Sequence, residues 1–148
     1  MGGEDREKVR RKIGKLSKDD TPMVRRGAAK CMGILTKYIE HDHAKDYMLP
    51  IIKALLEDSN DSVKIHAVIS SIDVAKIVKD SRLLRESIMP AFRESCENRF
   101  SWRLRFTVAE HAAFLASCID KDAVDEDIVG FYELLLRDGE PEVRSEAV

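Results

Sequence analysis

The chain has four histidines and three cysteines, the side chains most often used in catalysis or metal binding, and their spacing fits neither role. His41 and His43 lie two residues apart in a polar stretch, so we interpret them as solvated loop side chains rather than metal ligands. The sequence has no glycine-rich phosphate loop and no Gly-x-Ser-x-Gly, His-Glu-x-x-His or Cys-x-x-Cys motif. It therefore predicts a protein that is not an enzyme and that holds no cofactor or metal.

The strongest candidates for binding chemistry are one tryptophan and two arginines. Trp102 lies two residues before the first buried position of a predicted helix, where an aromatic ring would be partly exposed. Tryptophan and arginine are enriched among the residues that dominate protein interfaces. Arg26 and Arg103 are candidates for binding carboxylates of a partner, because a guanidinium group can hold a carboxylate through two hydrogen bonds. The alternative for Trp102 is that it covers a hydrophobic seam between two structural units.

Composition narrows the classes of partner. The 148 residues include 25 basic and 27 acidic side chains, and the resulting formal charge of −2 favours neither nucleic acid nor an anionic membrane. Cys31, Cys96 and Cys118 are an odd number and widely spaced, which is typical of free thiols in a reducing compartment, so we expect a cytoplasmic protein. Basic residues are dense between Arg6 and Lys18. We interpret them as a solvated helix face, with a nuclear-targeting or phosphate-contacting patch as the alternative.

A repeat organises these residues. An apolar residue followed by a basic one recurs at intervals of 39, 41 and 39 residues, as Val24-Arg25, Val63-Lys64, Leu104-Arg105 and Val143-Arg144. After the first three pairs, mostly apolar residues follow at offsets that keep them on one face of a helix. A second apolar segment precedes each of the later pairs. A period of about 40 residues predicts an all-α stack of antiparallel helix pairs.

The predicted helices cover about residues 4–17, 21–39, 45–57, 61–78, 82–97, 101–118, 124–137 and 141 onward. They predict a single array with repeats at about 4–40, 44–79, 82–119 and 123–148. We expect the last repeat to be incomplete and the chain to be part of a longer array, because the final helix has only begun its apolar stripe at Val148. Pro50 and Pro90 hold the same place in successive repeats, with Gly130 in the last, which predicts a bend in the first helix of each pair.

The turns inside the repeats are rich in Asp, Asn, Ser and Thr, which favour the start of a helix, and Pro22 and Pro141 suit a first helical turn. The third turn has one extra residue, which explains the interval of 41. In a stack of helix pairs, successive turns align along one edge at about the 10 Å spacing of packed helices. The sequence therefore predicts that this edge is where a partner docks.

This pattern, with proline in the first helix, aspartate in the turn and Val-Arg opening the second helix, resembles the HEAT repeat. The resemblance extends to the scaffold (A) subunits of protein phosphatase 2A. Residues 19–26 (DDTPMVRR), 61–63 (DSV), 101–105 (SWRLR) and 140–144 (EPEVR) are similar, in order and spacing, to the fifth to eighth repeats of that family. It implies a right-handed superhelical solenoid that is itself not catalytic. It also implies that regulatory (B-type) subunits bind these turns directly, and that the catalytic subunit binds repeats absent from this chain.

Carried over position by position, the resemblance implies a set of partner-binding residues in the turns: Thr21, Pro22, Met23, Arg26, Asp61, Ser62, Ser101, Trp102, Arg103, Glu140 and Pro141. It implies a second set that forms a ladder of hydrogen bonds and ion pairs between adjacent repeats: Asp19, Arg25, Asp58, Lys64, Asn98, Arg105, Asp138 and Arg144. The chain departs from the family pattern at Phe100, the extra residue beside Trp102, and at Lys64 and Ile65.

Two other classes stay open. A nuclear transport receptor of the karyopherin type also consists of HEAT repeats, but it does not predict these strings in this order. A HEAT-type nucleic-acid-binding protein or base-excision enzyme would need a basic groove with a catalytic carboxylate beside it.

Overall fold

The computed structural model describes residues 2–148 and contains helices and no strands over that range. Four helices are continuous: α1 (Gly3–Leu16), α2 (Pro22–Leu35, followed by a 3-10 turn at Thr36–Tyr38), α4 (Asp61–Val78) and α6 (Trp102–Ala116). Helix α3 comprises His41–His43, Ala44–Met48 and Leu49–Leu56, and α5 comprises Ser81–Ser87 and Met89–Cys96. Helix α7 comprises Lys121–Ala123, Val124–Ile128 and Val129–Leu136, and α8 is Pro141–Glu146.

Helices α3, α5 and α7 are irregular at the place where Pro50, Pro90 and Gly130 recur. In α3 and α7 a wide π-helical turn, Ala44–Met48 or Val124–Ile128, comes directly before the proline or glycine segment. In α5 the helix is interrupted at Ile88, two residues before Pro90. A proline ring disrupts the helical hydrogen bonding of the preceding turn, which explains the irregularities in α3 and α5. Because Gly130 follows the same π-helical turn without a proline, the irregularity belongs to the repeat and not to proline alone.

The chain folds as two compact units, one ending at Val78 and the other formed by Lys79–Val148. In the first unit, helices α2 and α4 pack against each other along their predicted apolar faces. Ala28, Ala29 and Met32 are buried on α2, and Val63 and Ala67 are buried on α4. Removing such apolar surface from water is the main contribution to the stability of a helix pair.

Gly14 allows a close approach of α1 to α3 in the same unit. A Cβ atom at Gly14 would lie 2.9 Å from the phenol oxygen of Tyr47, so any side chain there would force the tyrosine to move. Helix α4 ends at Val78, and the next residue, Lys79, has a φ of 46°. This left-handed conformation is common after the last turn of a helix and favours glycine, so the lysine is strained there.

The core of the second unit lies between α5, α6 and α7. The rings of Phe92 and Phe131 are both fully buried, with centroids 6.5 Å apart. Leu104, Val108 and Leu115 are buried on α6, at the positions of the predicted apolar stripe. The second helix of a pair is thus buried through the same register in both units, as the repeat predicts.

The predicted fold class is confirmed: the described chain is all-α, and its helix pairs are those of a HEAT-repeat solenoid. The helix limits lie within a few residues of the predicted ones. The interpretation of His41 and His43 as loop residues is wrong. They form the first turn of α3, and the Nδ1 atom of His41 lies 2.5 Å from the carbonyl oxygen of Ile77. The array of four repeats stays a prediction. Among residues 2–148, no helix is long and apolar enough to cross a membrane.

Candidate partner-binding site

The turn between α1 and α2 exposes a largely apolar surface on a backbone that hydrogen bonds hold in place. Thr21, Pro22 and Met23 are exposed, and Met23 has 69% of its surface accessible. The carboxylate of Asp19 accepts a hydrogen bond of 2.8 Å from the backbone N–H of Thr21, which closes the turn. Pro22 is the first residue of α2, where its missing N–H costs no helical hydrogen bond. This surface is therefore exposed to solvent in a defined backbone conformation.

Arg25 joins this turn to the next one. Its Nε and Nη2 atoms donate to the two carboxylate oxygens of Asp58, at 2.6 and 3.0 Å, and its Nη1 atom donates to the backbone carbonyls of Asp19 and Asp20. The planar guanidinium group suits this two-bond pairing with a carboxylate. We call such an arginine, bound to an aspartate of the next turn and to carbonyls of its own turn, an arginine clamp.

The turn between α3 and α4 is closed by its own side chains. Asp58 accepts from the backbone N–H of Asn60 at 2.9 Å, and Asn60 accepts from that of Ser62 at 3.0 Å. Asp61 and Ser62 are half-buried, and the hydroxyl of Ser62 accepts a long hydrogen bond of 3.4 Å from Arg26. Arg26 is therefore half-buried and partly engaged within its own unit, whereas Met23 is not.

A second arginine clamp holds the turns of the other unit. Arg105 donates to both carboxylate oxygens of Asp138, at 2.5 and 2.9 Å, and to the backbone carbonyl of Asn98 at 2.7 Å. The side chains of Asp58 and Asp138, the two clamped carboxylates, are only 7% and 6% exposed. Such charges are tolerated because each is paired and fully hydrogen-bonded.

The turn between α5 and α6 presents an aromatic and basic surface. The hydroxyl of Ser101 caps α6 by accepting from the N–H of Leu104 at 3.4 Å. Trp102 is half-buried, and its ring meets that of Phe106 edge to face, with centroids 6.4 Å apart. The exposed guanidinium group of Arg103 lies over the Trp102 ring, 4.9 Å from its centroid, which is a cation–π contact. The tryptophan thus packs against Phe106 of its own helix, and Arg103 beside it is exposed.

The turn between α7 and α8 is acidic. Glu140 and Pro141 are exposed, and the backbone N–H of Glu140 donates to Asp138 at 2.9 Å. Arg144 donates to the backbone carbonyls of Asp138 and Gly139, at 2.6 and 3.1 Å, so it closes its own turn as Arg25 does. Lys64, the fourth residue of the basic register, is half-buried on α4.

The clamps lower the pKa values of their carboxylates. Burial raises the pKa of Asp58, but hydrogen bonds from Arg25 and from the N–H of Asn60, together with the charge of Lys64, bring it below its ordinary value. For Asp138 the hydrogen bond from Arg105 is the largest influence, and its pKa is likewise lowered despite burial. Both carboxylates are therefore ionised at neutral pH and depend on their arginines.

Two features of this region were missed at the sequence level. Arg85 links α5 to α7 through Glu126 and Asp127, at 2.5 and 3.0 Å, although it lies outside the repeated basic register. The side chain of Phe100 is 98% exposed. A count of turn lengths identifies Phe100 as an extra residue, but its exposure depends on how the longer turn closes, which the sequence does not specify.

The remaining reactive groups form no second site. Residues 2–148 contain no cluster of three or more His, Cys, Asp or Glu side chains that could hold a metal ion. All three cysteines are free thiols, and burial raises the pKa of Cys96 to about 12, so this thiol stays protonated at neutral pH. The N-terminal basic run is partly neutralised within α1, where Lys8 pairs with Glu4 and Arg11 with Glu7.

Paired helices, whose turns are held by an arginine clamp in each unit, are typical of a HEAT-repeat solenoid. No family model matches the chain. It is similar, however, to the A-type regulatory subunits of protein phosphatase PP2A from two yeasts. It is 27% identical to that of Schizosaccharomyces pombe over 119 residues, or 80% of this chain, and 30% identical to that of Saccharomyces cerevisiae over 111 residues, or 69% of this chain.

The chain spans 20% and 17% of the lengths of these two relatives. The matches confirm the resemblance that the motifs indicate: the chain is similar to the regulatory A subunits of protein phosphatase PP2A.

Proposed function

We propose that this chain is a non-catalytic scaffold element of a protein phosphatase 2A holoenzyme and that it binds regulatory (B-type) subunits through its intra-repeat turns. The observation that carries the proposal is the turn between α5 and α6. There the guanidinium group of Arg103 lies over the ring of Trp102, 4.9 Å from its centroid. The backbone that carries both residues is fixed by a helix cap and an arginine clamp. Preorganised aromatic and arginine side chains are the usual anchors of protein interfaces.

The names of the two yeast relatives support a regulatory role rather than a catalytic one. In this proposal the catalytic subunit is held by repeats that this chain does not contain, and the present repeats help to position it through the shared scaffold. In this proposal the direct partner of this chain is the regulatory subunit. The complex would form in the cytoplasm, the compartment that the spacing of the cysteines predicts.

Binding of recombinant B-type subunits, measured by isothermal titration calorimetry, tests the proposal. Trp102→Ala is expected to weaken binding by about 2 kcal/mol or more, roughly 30-fold, because a central tryptophan would be lost from the interface. Tyr38→Ala is the matched control, since Tyr38 is an exposed aromatic at the opposite end of a helix from the turns. Circular dichroism of both variants checks that the helices remain folded.

If Trp102→Ala and Tyr38→Ala bind as the unaltered chain does, the turn is not the interface. If the unaltered chain fails to bind any B-type partner, the proposed function is wrong.

A further inference from the structure

Phe100 is unusually exposed for a large apolar side chain. Its exposed fraction is 98%, whereas Met23, the next most exposed large apolar residue inside the described chain, has 69%; only Val148, the last residue, is as exposed. A phenylalanine in this state contributes no buried area to the fold, and removing its ring from water would be favourable. Phe100 is also the extra residue of its turn, so the repeat can be built without it.

The backbone beneath Phe100 is held firmly. The side-chain oxygen of Asn98 accepts hydrogen bonds from the N–H groups of both Phe100 and Ser101, at 2.9 and 3.0 Å. The carbonyl of Asn98 in turn accepts from the clamped Arg105 at 2.7 Å. The ring is thus mounted on a turn that is already ordered, so a partner that buries it loses little conformational entropy on binding.

Basic residues flank Phe100 in the sequence. Arg99 and Arg103 are both exposed on either side of Phe100 and Trp102, and Arg103 is fixed over the tryptophan. Glu97, at the start of the turn, is the one acidic side chain among residues 97–103. An exposed apolar ring that two arginines flank in the sequence is complementary to an apolar pocket with carboxylates on its rim.

We infer that Phe100 is an anchor that inserts into an acid-rimmed apolar pocket of a regulatory subunit, and that it makes this chain select among B-type subunits by the presence of that pocket. The inference rests on the proposed function, since it concerns the same edge and the same partner. The inference goes beyond the proposed function, because Phe100 is absent from the family pattern on which the turn contacts were predicted. Selection follows because a partner without the pocket must leave the ring exposed or clash with it.

The test is the affinity of the full chain for recombinant subunits from each B-type class, with three variants. Phe100→Ala is expected to weaken binding to at least one class by about tenfold or more, and Phe100→Leu to weaken it less, because an anchor in an apolar pocket tolerates another apolar side chain. Phe114→Ala is the matched control: Phe114 is an exposed phenylalanine near the other end of α6, and its loss is expected to change affinity by less than about twofold.

The arginines give a second readout. Arg99→Glu is expected to slow association with the same B-type class and to reverse the effect of added salt on the association rate, because it places a carboxylate against the acidic rim. Thermal unfolding of each variant is measured alongside, and unchanged unfolding temperatures are expected because Arg99, Phe100 and Phe114 are all exposed.

The outcomes distinguish a failure of the inference from a failure of the proposed function. If Trp102→Ala loses affinity while Phe100→Ala binds every class as the unaltered chain does, the inference is overturned and the proposed function stands. If Phe100→Ala instead abolishes self-association of the chain in sedimentation velocity without affecting B-type binding, the pocket belongs to a second copy and the inference is again wrong. If the unaltered chain binds none of the B-type subunits, both the inference and the proposed function are wrong.

Discussion

The two units of the molecule hold their turns with the same arginine clamp but expose different side chains on those turns. In each, an arginine binds both oxygens of an aspartate of the next turn, at 2.6 and 3.0 Å for Arg25 and at 2.5 and 2.9 Å for Arg105, and also binds a carbonyl of its own turn. The turn held by Arg25 presents threonine, proline and methionine beside two aspartates. The turn held by Arg105 presents phenylalanine, tryptophan and two further arginines.

The comparison separates residues that position a turn from residues that a partner can contact. The two clamps hold the backbone of their turns and use the same arginine and aspartate atoms in both units. They do so because the helix pairs that they join pack in the same register. The displayed side chains face solvent and are free to differ. Similar supports can thus carry different binding surfaces, which is what the proposed binding of one partner through several turns requires.

The largest effect should come from removing a clamp. Arg105→Ala leaves Asp138 as an unpaired charge with only 6% of its side chain exposed, and also leaves the Asn98 carbonyl without its donor. We expect the free energy of unfolding to fall by about 3 kcal/mol, the usual cost of breaking a buried pair on one side. Urea unfolding followed by circular dichroism measures it. Arg25→Ala should lower stability in the same direction, and a neutral result in either unit would show that the two clamps are not equivalent.

A smaller effect distinguishes the turns themselves. Asn98 accepts two backbone N–H groups, whereas Asp19 accepts one in the first turn. Asn98→Ala should therefore cost about 1–2 kcal/mol and Asp19→Ala about half as much, because the first leaves two turn N–H groups without an acceptor and the second leaves one. Denaturant titration of the two variants under the same conditions compares them. Equal losses would mean that the longer turn is not held more firmly than the shorter one.

The smallest effect concerns pH. The folded-state pKa of Asp138 is lowered by Arg105, so the clamp stabilises the protein above the unfolded-state pKa of about 4 and this contribution is lost as the pH falls through the folded value. Asp138→Asn removes the titrating charge. Its stability deficit relative to the unaltered chain should be largest at about pH 7 and should shrink below about pH 4. A deficit that stays constant from about pH 7 to about pH 3 would contradict the assigned role of the ion pair.

The sequence predicts the helices and their buried faces well, since a 3.6-residue period and a repeat of about 40 residues leave little freedom. Of the four apolar partners of the basic register, Val63, Leu104 and Val143 are fully buried and Val24 is half-buried. The positions of Arg25 and Arg105 also follow from the repeat. Their binding partners follow only from the resemblance, because the pairing of two turns depends on how neighbouring helix pairs stack.

Other features depend on local geometry that no period encodes. The π-helical turns before Pro50 and Gly130 and the start of α3 at His41 are examples. Arg26 is predicted to contact a partner, and the sequence does not indicate that it also donates a long hydrogen bond to Ser62. Phe100 could be counted as an insertion, yet whether an inserted residue tucks inward or projects outward is decided by the hydrogen bonds of Asn98.

The account rests on the claim that partners dock on the turns of the helix pairs and not on the opposite ends of the helices. Hydrogen–deuterium exchange of the chain, with and without a bound B-type partner, tests it directly. We expect new protection in residues 18–23 and 98–103, and unchanged exchange in the connections at 37–41 and 117–121. Protection confined to those connections, with both turns unchanged, would contradict the account.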